Sequence, residues 1–162
     1  MTMTHTTTPR ADFAATAPKA FKALIAFDTA ARQGLDPALV ELIQIRASQL
    51  NNCTYCLTIH LNHAHNAGED NLRLHMIAHW RQATHYFTPK EQAALALTEA
   101  ITLISTHGVP DEMYAQARAE FNDDELTHIL AVTCSINTYN RITITTTKTN
   151  RPPTDTGTHQ HH

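Results

Sequence analysis

Residues 41–60 read ELIQIRASQLNNCTYCLTIH, and their pattern decides the architecture. Leu39, Leu42, Ile43, Ala47 and Leu50 recur at helical spacing, behind Asp36-Pro37, a good N-cap and first-turn pair. Asn51-Asn52 breaks that helix. A second helix begins around Cys53 and ends near Gly68, a left-handed cap position. Two helices joined by a tight turn therefore place Cys53 and Cys56 at the start of the second.

The same helical spacing extends outward in both directions. Toward the N-terminus, Phe13, Ala17, Phe21, Leu24, Ile25 and Phe27 form a helical stripe over about 12–32, interrupted at Pro18 and stopped by Gly34. Beyond Gly68, Asp70 to about Gln82 carries Leu72, Leu74, Met76, Ile77 and Trp80. Thr88-Pro89-Lys90-Glu91 is a capping box with Pro in the first turn. The helix it starts holds Ala94, Leu97, Ile101 and Ile104. Pro110 opens a short helix through Met113, Ala117 and Phe121. Asn122 and Glu125 start the last one, with Leu126, Ile129, Leu130, Thr133, Ile136 and Asn137 in register. The β-branched run Ile142–Thr147 has no partner strand, so it reads as the fraying end of that helix. The expectation is an all-α domain of six to eight helices over residues 12–150. Residues 1–11 and 151–162 read as disordered tails; the His cluster of the second could grip a metal loosely.

Composition agrees and excludes several classes. The chain has 162 residues, enough for one domain, and a net charge of −3. It lacks the basic field that nucleic acid or an acidic membrane surface would require. Only 4 Gly and 7 Pro argue against a many-turned β-barrel or a low-complexity chain. No apolar run is long enough for a membrane span, and the Thr-rich start lacks the layout of a secretory signal. Three cysteines cannot close a disulfide framework, so a cytoplasmic location is expected, where a lone cysteine pair points to redox chemistry or metal.

The chemistry concentrates between Glu41 and His60. A helix N-terminus presents unpaired N–H groups and partial positive charge, which favour thiolate over thiol. Cys56 and His60, four apart, share a helix face. The imidazole can accept the thiol proton, and Glu41 can orient or charge the imidazole. Zinc could draw on Cys53, Cys56, His60 and His63. All four would lie on one helix, a poor match to tetrahedral sites built from separate elements. Covalent haem attachment would need His where Leu57 stands. Buried inert thiols beside a solvated His are the bland alternative.

The arrangement of Glu, eleven residues, Cys, two residues, Cys, three residues, His resembles the core of the alkylhydroperoxidase AhpD family, within the carboxymuconolactone decarboxylase-like superfamily. Ala67-Gly68-Glu69, Trp80-Arg81, the 87–91 entry, residues 94–100 and Ile136-Asn137-Thr138-Tyr139-Asn140-Arg141 extend the likeness, which covers roughly 35–142. The resemblance implies an all-helical homo-oligomer, a trimer or hexamer, and a thiol peroxidase cycle without haem, metal or other cofactor. It implies Cys56 as the peroxide-attacking thiolate, Cys53 as the resolving thiol, and His60 with Glu41 as proton relay. The partners it implies are a hydroperoxide and a thiol reductant, lipoyl or thioredoxin-like. Helix-dipole reasoning alone would instead favour Cys53 as the more acidic thiol.

One position departs from the pattern. The best-studied branch has a second His before the second Cys, and here Tyr55 stands there as a secondary candidate. Phenols titrate near pH 10 and are poor bases at neutral pH. A rival on the same fold is a decarboxylase acting on a lactone, which would want a basic anion pocket; Arg46 and Arg141 are its only hints. A protein-disulfide reductase and a redox-sensing oligomer are further alternatives. His75 and His79 are four apart, but Met76 replaces the Glu of a zinc helix, so they read as solvated or interface residues. His63 and His65 read as surface. Cys134 reads as core or interface, and Trp80, Tyr86 and Phe87 as packing residues.

Overall fold

The computed structural model describes residues 10–146; the expected tail from 151, most of that up to 11, and residues 147–150 of the expected domain lie outside them. Among the described residues there is no strand and there are nine α-helices: α1 Phe13–Thr16, α2 Pro18–Ala31, α3 Pro37–Leu50, α4 Thr54–Asn66, α5 Asn71–Met76, α6 Pro89–Thr102, α7 Ile104–His107, α8 Asp111–Glu120 and α9 Asp123–Thr146. The fold is all-α. Two of the nine, α1 and α7, are four-residue turns, which is why counting apolar stripes gives a lower number. No described helix is long and apolar enough to cross a membrane.

The helix α3 is the axis. Nine of its fourteen residues are buried, and α4, α6 and α9 pack around it. A helix buried nearly all round lies inside the fold rather than on it. Its apolar side chains divide between two clusters. Leu39, Val40 and Ile43 join Ala94, Leu97, Phe121, Ile129 and Val132, while Leu42 and Ile45 join Leu74, Ile77, Trp80, Phe87 and Leu95. A third, smaller cluster gathers Ala47, Cys53, Cys56 and Ile136, so the cysteines are built into the core.

Helix ends follow the local chemistry. The side chains of Asp36 and Asp70 accept from Ala38 N and Arg73 N at the starts of α3 and α5. The Thr88–Glu91 capping box closes reciprocally at α6. Asn122 and Glu125 do the same before α9, each side chain bonding the other's backbone N–H. The turn after α3 is a Schellman motif: Cys53 N donates to Ser48 O and Asn52 N to Gln49 O, with Asn52 left-handed at φ 55°. Gly68 ends α4 with the same pair of bonds and φ 94°.

Four expectations are corrected. The helix from Asp70 stops at Met76, and Ile77–His79 tighten into a 3-10 turn that buries Ile77 and Trp80. Residues 142–146 are not frayed: Thr143 and Thr146 are buried in the last turns of α9, with Thr146 Oγ1 bonded back to Ile142 O. Leu130 points outward, as do Ile25 and Phe27, while Val132 takes the core position. Cys134 is exposed and not in the core, because α9 turns Thr133, Ser135 and Ile136 inward around it. Trp80 and Phe87 pack in the core as expected.

Candidate active site

The elements around α3 bring the expected site residues together. Cys53 is the N-cap of α4, and its Sγ accepts from Cys56 N at 3.4 Å. Cys53 and Cys56 are joined in a disulfide with Cα atoms 5.4 Å apart. Both are buried, at 2% and 4% exposure. One turn further along α4, His60 is also buried, and its Nδ1 meets Glu41 Oε2 of α3 at 2.9 Å. Glu41, placed mid-way along the buried axis helix, thus finds its partner on the helix that starts with the cysteines.

The Glu41 carboxylate is ionised against its surroundings. Burial alone would raise its pKa, but the hydrogen bond and charge of His60, then Arg32 and His63, bring it below the ordinary carboxylate value. Arg32 Nη1 donates to Glu41 Oε1 at 3.2 Å and Nη2 to Gln44 Oε1 at 2.9 Å. Arg32 Nε bonds Asp28 Oδ2, and Asp28 Oδ1 accepts from Ser135 Oγ of α9 at 2.7 Å. A continuous polar network thus runs from α9 through α2 to the Glu41–His60 pair.

A cavity of about 200 Å³ opens beside this network. Its walls include Cys56, His60, His63 and Tyr55 of α4, Asp28 of α2 and Arg32 at its C-cap, Gln44 of α3, and Ile136, Tyr139 and Thr143 of α9. Cys53 is not among them. Tyr139's phenol is pushed above its ordinary range by burial and then by the Asp28 carboxylate, with Arg32 pulling the other way. It stays protonated, a hydroxyl donor on the cavity wall. Tyr55 faces the same space and packs against the cysteine cluster. The arrangement can hold a small molecule against Cys56 with an imidazole–carboxylate pair at hand.

Several of these residues were not legible as site residues. Asp28 and Arg32, four apart on an amphipathic helix, have the spacing of an ordinary solvated pair. Gln44 carried a usable signal: it and Glu41 interrupt an otherwise apolar stretch of α3 with polar groups three residues apart. His63, expected on the surface, is indeed largely exposed, yet its Nδ1 lies 3.8 Å from Glu41 Oε1. His75 and His79 are exposed and take no part in the cavity. Arg46 bonds Glu99 and Gln49, and Arg141 bonds Asn137; neither lines the cavity.

The family model "Carboxymuconolactone decarboxylase family" matches residues 18–100, just over half the chain. The chain belongs to that family. The uncharacterized protein YdfG of Bacillus subtilis (strain 168) is 34% identical over 129 residues, 79% of this chain and 87% of YdfG. The crystal structure of ATU0492 from Agrobacterium tumefaciens, a protein of unknown function with a suggested AhpD role in antioxidant defence, superposes with a TM-score of 0.85. It is 30% identical over 90% of this chain and 99% of its own. The debrominase Bmp8, solved with 2,3,4-tribromopyrrole, shares the fold at 18% identity and a TM-score of 0.67, over 81% of this chain and 66% of its own. This carboxymuconolactone decarboxylase family member is AhpD-like in its helical fold and its paired cysteines.

Proposed function

We propose that this protein is a thiol-dependent peroxidase that reduces small hydroperoxides through a Cys53–Cys56 dithiol/disulfide cycle. The observation that carries the reading is the buried His60–Glu41 pair, 2.9 Å apart, whose imidazole lies on the wall of the cavity that Cys56 also borders. A disulfide that served only as a staple would need neither a cavity nor a base.

Mechanistically, His60 takes the Cys56 thiol proton while Glu41 steadies the imidazolium. The Cys56 thiolate attacks the distal oxygen of a hydroperoxide; the O–O bond breaks, and the alkoxide leaves as alcohol with the proton from His60. Cys56 is then a sulfenic acid. The Cys53 thiol attacks its sulfur, water leaves, and the disulfide forms. A dithiol reductant, lipoyl or thioredoxin-like, returns the pair to two thiols by exchange and is itself oxidised to a disulfide. Cys56 rather than Cys53 is assigned the attack because it alone of the two borders the cavity. A cytoplasmic location and a trimeric or hexameric assembly belong to the same reading. Arg46 and Arg141, the hints of an anion pocket for a lactone decarboxylase, do not line this cavity, and Arg32, which does, is bonded to Asp28, Glu41 and Gln44.

The test begins with fully reduced protein freed of reductant. One equivalent of an organic hydroperoxide is added, remaining thiols are blocked, and the cysteines are mapped by mass spectrometry. Cys134, exposed and unpaired with another cysteine, is the internal control. Rapid formation of the Cys53–Cys56 disulfide with Cys134 still reduced is the expected result. Oxidation at the pair no faster than at Cys134 would end the peroxidase reading.

A further inference from the structure

Two imidazoles stand beside Glu41. Glu41, His60 and His63 each present one ligand atom, and these atoms all lie within 4.8 Å of one another. Glu41 Oε2 to His60 Nδ1 is 2.9 Å and Glu41 Oε1 to His63 Nδ1 is 3.8 Å. Zinc bonded at about 2.0–2.1 Å to a tetrahedral donor set needs its donors roughly 3.4 Å apart, and these two distances bracket that value. The two imidazoles stand edge to face, 88° apart, with centroids 5.7 Å from each other. Two of the donors are buried, while the side chain of His63 is 56% exposed, so it can swing to close the set around an incoming ion.

Spacing alone argued against zinc because every donor then considered lay on one helix. The fold supplies the second element: Glu41 of α3 faces His60 and His63, which sit three apart on α4. Charge also suits a cation. Asp28 and Glu41 flank the single guanidinium of Arg32, leaving one net negative charge for the ion. Two histidines and a carboxylate suit zinc-class ions, and three protein ligands leave a fourth position for water. An entry path exists, since His63 borders both the Cys56 cavity and a second surface cavity, which Glu41 lines with Pro37, Ala67 and Glu69.

We propose that Glu41, His60 and His63 form a binding site for a divalent transition metal of the zinc class, whose occupancy withdraws the Glu41–His60 pair from proton transfer. Binding replaces the proton between His60 Nδ1 and Glu41 Oε2 with the ion. The metal-bound form is therefore unable to move the Cys56 proton by this route. The binding half stands by itself; the inhibitory half rests on the peroxidase reading.

The test uses the full chain with the Cys53–Cys56 disulfide closed, so that neither sulfur can serve as a thiolate ligand. Zn²⁺ is titrated against a chromophoric chelator for the wild type and for His63→Ala, which share the same C-terminal histidines. The wild type is expected to take up one more equivalent of Zn²⁺ than His63→Ala, or to hold it at least about tenfold more tightly. Equal uptake by the two overturns the site. His63 is exposed, so the variant does not disturb the core. In a second measurement on reduced protein, Zn²⁺ is expected to slow hydroperoxide-driven formation of the disulfide, at about tenfold lower metal concentration for the wild type than for His63→Ala. Differential uptake without any slowing overturns the inhibitory half. The relay itself is read separately, without zinc: if His60→Ala forms the disulfide at the wild-type rate, the peroxidase reading fails while the uptake result stands.

Discussion

Arg32 takes one oxygen of the Glu41 carboxylate and His60 takes the other: Nη1 of Arg32 donates to Oε1 at 3.2 Å, and Nδ1 of His60 meets Oε2 at 2.9 Å. The carboxylate is held on both sides by groups from different helices. Arg32 also bridges to Asp28 and Gln44, so its planar fork fixes Glu41 relative to α2 as well as α3. Arg32→Gln is expected to slow hydroperoxide-driven disulfide formation about tenfold, because Glu41 loses a cation that keeps it ionised and a donor that orients it. Arg32→Lys keeps the charge but cannot reach three acceptors in one plane, and its rate should fall between the two. Stopped-flow measurement of disulfide formation at neutral pH decides it. Wild-type rates in both variants would remove Arg32 from the mechanism.

Glu99 gives the stability of the fold a defined pH dependence. It accepts from Trp80 Nε1 at 2.8 Å and Arg46 Nε at 2.6 Å, and it pairs with Arg81. Burial raises its pKa, but these donors outweigh it, and the folded value lies below the ordinary 4.5. A carboxyl whose pKa is depressed on folding stabilises the native state above its unfolded pKa, and that contribution is lost as pH falls through the folded value. Glu99→Gln should cost roughly 2–3 kcal/mol at pH 7 by urea denaturation. The gap between variant and wild type should narrow as the pH drops below about 4.5. A gap constant from pH 7 to pH 3 would mean that packing, not charge, sets it.

Asn52 controls how the chain enters the cysteine helix. Its φ of 55° lies in the left-handed region, and the next residue, Cys53, donates back to Ser48 O. Asn tolerates this conformation and Gly tolerates it better, whereas a β-branched residue does not. Asn52→Gly should leave stability within roughly a few tenths of a kcal/mol. Asn52→Val should lose about 1–2 kcal/mol. Thermal denaturation of the two variants checks the contrast, and equal losses would place the constraint elsewhere.

What the sequence reveals divides along physical lines. Local chemistry is legible: the caps at Asp36, Thr88 and Asp70, the turn at Asn51-Asn52, and the spacing of Cys56 to His60 all act within a few residues. The Glu41–His60 pairing was accessible because both residues belong to one recognisable arrangement. Arg32, Asp28 and Tyr139 were not, since their roles depend on how α2 and α9 pack beside α3. Equally, motif residues outside the site turned out to hold the scaffold. Trp80, Arg81 and Glu99 form one ion and hydrogen-bond cluster. Asn137 and Asn140 both accept from Asn51 Nδ2, at 2.9 Å each, tying the turn before Cys53 to α9. Leu130, and the core alternative for Cys134, were misplaced because the inward arc of a helix as long as α9 cannot be fixed from a few apolar positions.

The order of the two cysteines sets electrostatics against access. Cys53 occupies the N-cap, where its sulfur accepts from Cys56 N and where the helix end favours a thiolate. Cys56 borders the cavity together with His60, and Cys53 does not. A peroxide must approach sulfur with its O–O bond in line, so access outweighs a modest difference in thiolate fraction, and a base on the same helix face compensates Cys56 for its place further from the helix end. Cys56→Ser should therefore abolish hydroperoxide consumption. Cys53→Ser should complete a single oxidation and stop at the Cys56 sulfenic acid, which dimedone would trap as an adduct seen by mass spectrometry. An adduct on Cys53 in Cys56→Ser, with none on Cys56 in Cys53→Ser, would reverse the assignment and make the helix end, rather than the His60–Glu41 pair, the source of activation.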